Sequence, residues 1–354
     1  MTNGILKSII FYIMSVKFLS IKNLPLLIQR LSEKLNVYYP VKINGAVHYR
    51  LYRGEELDGV EIYSALCSVR PVQPLKDFFI TQRERVAKFK GILKKDIKKS
   101  VIIGAKNCDI RSISEIQDKV YLEGVVEDPF YRERRENTVL VSADCPEPAD
   151  TCFCNIMGGK PYGAVDSDIN ISFSEKGYVF DVITKKGEDL LSPFYALFED
   201  AKASVIRERD EKRKKAEGKL KEINPKKLYK NLPDRVKYMH SAEFWNRTME
   251  GCVDCQACER VCPTCYCFLL YDVPVGEKSF ERVRVLDYCY HASYARVGGG
   301  LNPLSVFSKR LRNRFECKFY SFFENHKVYA CTGCGRCIEA CMGKIDIRKV
   351  LFAL

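Results

Sequence analysis

Several things that would direct a chain to common activities are scarce here. Four histidines in 354 residues leave zinc sites of mixed cysteine–histidine type poorly supplied. The run Gly298-Gly299-Gly300 lacks the spacing and the preceding strand of a dinucleotide loop, and no other flavin or nucleotide loop is found. No Ser/His/Asp arrangement is found either, so no catalytic residue is assigned. The apolar run from Ile5 to Val16 is broken by Lys7 and Ser8, and falls short of the roughly 20 residues a spanning helix requires. No small-residue cleavage site follows it. Residues 1–13 read as an N-terminal extension with Met14 as an alternative start, and no stable membrane insertion is expected.

A recognition motif for nucleic acid is also lacking, although the formal charge is +13. Much of that excess falls in two stretches, residues 202–230 and SKRLRNRF from Ser308 to Phe315. The first mixes acidic and basic residues at helical spacing, which predicts a solvated helix; a docking face for an acidic partner subunit is the alternative. No nucleic-acid partner is expected.

What the chain has in quantity is thiol. Its cysteine count of 17 is odd, and the cysteines are too tightly clustered for a secreted disulfide framework. A reducing, anaerobic cytoplasm is the expected setting. The hydrophobic fraction of 46% fits a folded protein, and the length allows two cores.

The pattern along the chain predicts an α/β N-terminal domain followed by a C-terminal two-[4Fe–4S] ferredoxin-like domain, α-helical and loop-rich, with a long insertion. MSVKFLSIKNLPLLIQRL reads as an amphipathic first helix, and NVYYPVKI and AVHYRLYR as strands joined at Asn44-Gly45. KSVIIGA and TVLVSADC read as buried strands whose carboxyl ends deliver a cysteine; DIRSISEIQDKVYL between them has helical spacing. YVFDVITKKG reads as a later, partly exposed strand. The expected division is residues 14–199 as the α/β domain, 200–240 as a basic helical connector and 241–354 as the dicluster domain.

The stretch GCVDCQACERVCPTCYCF holds Cys252, Cys255, Cys258 and Cys262 at spacings of two, two and three intervening residues, then Pro263. Cys331, Cys334, Cys337 and Cys341 repeat the unit, with Met342 in place of the proline. Three thiolates on a tight loop wrap one cubane, and the fourth, at the start of the next helix, reaches the other. The predicted sets are therefore Cys252, Cys255, Cys258 with Cys341, and Cys331, Cys334, Cys337 with Cys262, with Gly333 and Gly335 easing the turn. Zinc would favour paired CxxC elements instead. The halves are separated by the insertion from Pro263 to Ala330. Cys265 and Cys267 either line a cluster or fill the core; Cys289 and Cys317 are weaker candidates, and Cys67 reads as structural.

Cys108, Cys145, Cys152 and Cys154 form a further set near predicted strand ends. A third [4Fe–4S] cluster, a structural zinc and four unconnected core thiols all remain open for it. Asp109 and His291 read as hydrogen-bonded structural residues, with a part in catalysis as the alternative.

The segments NCDIRSISEIQDKVYL, DPFYRERRE, DCPEPADTCFC with NIMGG, CQACERVCPTCYCF, ARVGGGLNP and CTGCGRCIEAC with IDI resemble the iron–sulfur β subunits of cytoplasmic sulfhydrogenases and the related A subunit of anaerobic sulfite reductase. They span most of the chain, from about Pro71 to Ile347. One departure is Met342, where the family more often has proline; proline is not a ligand. The resemblance implies an electron-transfer subunit of a heteromeric oxidoreductase and strengthens the case for the third cluster. It further implies a partner carrying flavin and linked to NAD(P)H or ferredoxin, and a catalytic redox partner of hydrogenase, sulfite reductase or heterodisulfide reductase type. A reductase acting directly on a sulfur or disulfide substrate at a cluster is the alternative.

Overall fold

The computed structural model describes residues 14–89, 91–92, 97–163 and 166–354; the expected extension 1–13 lies outside them. Its strands in chain order are β1 (Ser15–Ser20), β2 (Asn36–Ile43), β3 (Ala46–Leu51), β4 (Arg83–Lys88), β5 (Gly91–Ile92), β6 (Ser100–Ala105), β7 (Thr138–Ala143), β8 (Ile169–Phe173), β9 (Gly177–Val182), β10 (Glu199–Asp200), β11 (Phe268–Gly276) and β12 (Ser279–Leu286). Eight of them form one sheet in the order β10-β1-β9-β8-β7-β6-β2-β3. Its centre, β2-β6-β7-β8, is parallel, and antiparallel strands complete both sides.

The central strands are nearly continuous apolar runs because both faces are covered. Val101, Ile103, Val139 and Val141 face a core completed by Leu24, Leu27 and Ile28 of the helix Asn23–Ser32. Ile102 and Leu140 face the opposite core, with Ile110, Ile113, Tyr121 and Tyr131. These come from the helical segment over residues 107–121, which passes through a π-helical turn at Ser112–Gln117, and from the helix Pro129–Glu136.

Two local expectations are corrected. Residues 14–31 are not one helix: Ser15–Ser20 is a strand, paired along its length with β9, and the helix begins only at Asn23. The long-range ladder overrides the local helical pattern. The strand Gly177–Val182 is not partly exposed; all six residues are buried, because β1 and β8 flank it within the sheet.

The segment between the two cysteine units is tied back to the α/β region. Its hairpin, β11 and β12, pairs with β4 and β5 to form a second, four-stranded sheet. Arg284 of β12, 2% exposed, donates to Glu84 at 2.6 Å and also reaches Asp128; Arg134 pairs with Glu84 from the other side. A third core, around Trp245, Leu311, Phe315, Phe319 and Leu351, holds the helices on either side of the second unit.

The basic helix Ala203–Ile223 is only partly the solvated helix that its charge predicts. Arg209 donates to Asp181 at 2.9 Å, Arg213 donates to Asp144 at 2.7 Å, and Leu220 is buried against Cys152 and Cys154. Asp144 directly precedes Cys145, so the helix braces a cysteine-bearing loop. No described helix is long and apolar enough to cross a membrane.

Candidate iron–sulfur centres

The two cysteine units have the same backbone. Asp254 and Gln256 in the first, Gly333 and Gly335 in the second, all take positive φ: 52°, 59°, 67° and 78°. Each unit then enters a short helix, Ala257–Arg260 or Arg336–Glu339. Glycine is required only in the second unit. A Cβ on Gly333 would lie 2.5 Å from Phe153 O, and one on Gly335 would lie 2.4 Å from Thr151 O. That loop is pressed against the TCFC segment, and Phe153 N donates to Gly333 O at 2.8 Å.

Cys252, Cys255, Cys258 and Cys341 line one cavity, with Cys337, Arg314 and Tyr290 also in its wall. Cys262, Cys331 and Cys337 are mutual neighbours in a second group, which Lys318 adjoins. Cys108, Cys145, Cys152 and Cys154 line a further cavity with Arg70 and Lys106, and Cys334 is in its wall. Cys334 is thus at the boundary between the second and third groups: it neighbours Cys337 on one side, and Cys108 and Cys152 on the other. Cys108 opens the helix after β6 and Cys145 follows β7, so the third group forms at the carboxyl ends of parallel strands, where open α/β sheets bind ligands.

The donor chemistry fits iron–sulfur clusters. Each group is a set of thiols, and among the described residues no three His, Cys, Asp or Glu side chains stand close enough to grip a single metal ion. A tetrahedral zinc, with Zn–S bonds of about 2.3 Å, would draw its sulfurs to about 3.8 Å from one another. Two of the groups also have in their wall a buried arginine nitrogen without a hydrogen-bond partner: Arg314 Nε at the first and Arg70 Nε at the third. Donors left in this way suit an anionic occupant with acceptor sulfurs.

Burial pushes most of these thiols up: Cys258 and Cys152 to about 11, Cys331, Cys337 and Cys154 to about 12. Cys262 is the exception. A hydrogen bond with Cys265 holds it well below the ordinary thiol value, with help from Lys318 and Arg314 against the desolvation.

The remaining cysteines have other contacts. Cys265 is the hydrogen-bond partner of Cys262, Cys267 meets Tyr294 Oη at 3.4 Å, and Cys317 meets Tyr266 Oη at 3.4 Å. Cys289 donates to Glu259 at 2.8 Å, and Cys67 packs against the first core. Asp109 is wholly buried and holds Arg336 through both carboxylate oxygens at 2.8 Å. His291 pairs with Asp287 in its own loop at 2.7 Å.

Sequence reasoning missed the buried cations. Arg70, Lys106, Arg310, Arg314, Lys318 and Arg336 are all 5% exposed or less. Arg310 and Arg314 belong to the stretch SKRLRNRF, whose charge does not therefore all face solvent. The available signal is the interval of four between Arg310, Arg314 and Lys318, shared by Leu311, Phe315 and Phe319, which puts cations and apolar anchors on adjacent stripes of one helix.

Residues 251–345 match the 4Fe–4S dicluster domain family, so the two cysteine units and the hairpin between them lie within one recognised domain. The similarity extends well beyond it. The chain is 33% identical over 331 residues to sulfhydrogenase 2 subunit beta of Pyrococcus furiosus, covering 92% of this chain and 94% of that one. With that identity sustained across both the α/β region and the cysteine units, the chain belongs to the sulfhydrogenase β-subunit family.

Proposed function

We propose that this chain is the electron-transfer subunit of a heteromeric, hydrogenase-type oxidoreductase, working in the cytoplasm between a flavin-containing, NAD(P)H- or ferredoxin-linked partner and a catalytic redox partner. Cys252, Cys255, Cys258 and Cys341 hold one [4Fe–4S] cluster; Cys331, Cys334, Cys337 and Cys262 hold a second; Cys108, Cys145, Cys152 and Cys154 hold a third. The clusters supply one-electron couples, with potentials governed by charge, burial and hydrogen bonds to sulfur. The chain itself spaces the three thiol sets and balances their negative charge with buried arginine and lysine.

The observation that carries the reading is the meeting of Cys341 with Cys252, Cys255 and Cys258 around one cavity, since thiols from two distant segments converge there. The contiguity of the sets favours a relay over an isolated reactive centre. Cys337 adjoins the first set, and Cys334 connects the second to the third. Anaerobic reconstitution tests the reading. About twelve irons per chain are expected for three clusters and about eight for two; four or fewer reject it. Unaided turnover of a sulfur or disulfide substrate with reduced viologen would favour the direct reductase instead.

A further inference from the structure

The helix Phe307–Glu316 runs directly into a π-helical turn, Cys317–Ser321. Irregular turns of this kind inside helices frequently mark functional positions. Arg310, Arg314 and Lys318 project from this segment at intervals of four residues, and their contacts follow the first cysteine unit in order. Arg310 Nη2 is 3.5 Å from Asp254 Oδ2, Arg314 Nη2 is 3.3 Å from Cys258 O, and Lys318 Nζ is 3.4 Å from Cys262 Sγ. Only the last of these three contacts is made to a sulfur.

Lys318 is 3% exposed. Its ammonium donates to Cys262 Sγ, to Thr264 Oγ1 at 2.8 Å and to Ala330 O at 3.1 Å: a sulfur, a hydroxyl and a carbonyl, with no carboxylate among them. Thr264 Oγ1 donates in turn to Ala330 O at 2.7 Å, so the hydroxyl is oriented to accept from the lysine. A cation removed from water needs a counter-charge. The sulfurs that Lys318 faces belong to Cys262, Cys265 and Cys331.

The counterpart of Cys262 in the other unit is Cys341, and its surroundings differ. Cys341 Sγ accepts from the backbone Ile345 N at 3.2 Å, a neutral donor. The two units share a backbone but not this charge.

We propose that Lys318 is a positioning residue for electron transfer: its ammonium at Cys262 Sγ raises the reduction potential of the second cluster. This rests on the cluster assignment given under the proposed function. A one-electron reduction adds one negative charge to a cluster and its thiolates. A fixed positive charge at a ligand sulfur stabilises that reduced state more than the oxidised one, and a charged donor does so more than a backbone amide.

The test is a potentiometric titration of the full chain, reconstituted anaerobically, reduced with dithionite and followed by electron paramagnetic resonance. The second cluster is identified by the signal lost in Cys331→Ser. In Lys318→Met its midpoint potential is expected to fall while the other potentials stay in place, and Lys318→Arg is expected to restore most of the wild-type value. Thr264→Val, which removes the hydroxyl steadying the ammonium, is expected to give a smaller fall in the same cluster. Unchanged potentials in Lys318→Met at wild-type iron content, or an equal shift of every cluster, would overturn the proposal. If Lys318→Met does not retain the second cluster, an unmoved potential in Thr264→Val overturns it. About four irons or fewer in the wild type would remove the parent assignment and this proposal together, whereas full iron with unmoved potentials removes this proposal alone.

Discussion

Asp109 gives both carboxylate oxygens to Arg336, and Arg336 also donates to Pro71 O at 2.7 Å. The pair joins the residue after Cys108 to the residue before Cys337, which makes it a clamp between the third and second thiol sets. The expected outcome of Asp109→Ala is a loss of about 3–5 kcal/mol in unfolding free energy, because it leaves a buried guanidinium without its counter-charge. Denaturant unfolding of the iron-loaded chain measures this. A loss below about 1 kcal/mol together with lost electron-transfer activity would instead return Asp109 to a catalytic part. The carboxylate was visible in the sequence as a polar residue beside a cysteine. Its partner was not, since Arg336 lies at the other end of the chain and only the packed molecule brings the two together.

At the scale of elements, the second cysteine loop and the TCFC segment are fitted to each other through glycine. Gly333→Ala introduces a side chain at a φ of +67° and 2.5 Å from Phe153 O, so one of the two loops must move. Gly298→Ala is the control, as nothing lies within 4 Å of a Cβ there. The expected result is a loss of roughly 1–3 kcal/mol for Gly333→Ala and little change for Gly298→Ala, read from unfolding transitions of the two variants. Equal stability of the two would mean that the loop contact carries no weight.

Other elements differ in how far their sequence declares them. Ser100–Ala105 and Thr138–Ala143 are legible because strands buried on both faces must be apolar throughout. Ser15–Ser20 is not, because its strand state is set by β9 and β10, which lie far away along the chain. The hairpin Phe268–Leu286 was hidden inside what reads as an insertion. It becomes intelligible only once Arg284 is seen to anchor it on Glu84 and Asp128.

Across the whole molecule, cysteine spacing carries most of what the sequence says about chemistry, because three thiols on one short loop are a local property of the chain. The gathering of the loops is a property of the fold. Cys334 shows the difference: its spacing assigns it to the second set, while its backbone neighbours press it against the cavity of the third. The buried cations were hidden for a related reason. A lysine or arginine at helical spacing looks the same in sequence whether it faces water or a sulfur, and only the packing of Phe315 and Phe319 into the core turns this face inward. The protein that results has three thiol groups in contiguous positions, each with an arginine or lysine beside it.

Diffraction from crystals of the anaerobically purified chain at the iron absorption edge tests the central claim most directly. The account predicts anomalous density of cubane size bounded by Cys252, Cys255, Cys258 and Cys341, a second such feature at Cys262, Cys331, Cys334 and Cys337, and a third at Cys108, Cys145, Cys152 and Cys154. Point-like density from single metal ions at the first two positions, or no iron signal between those sulfurs, would contradict it.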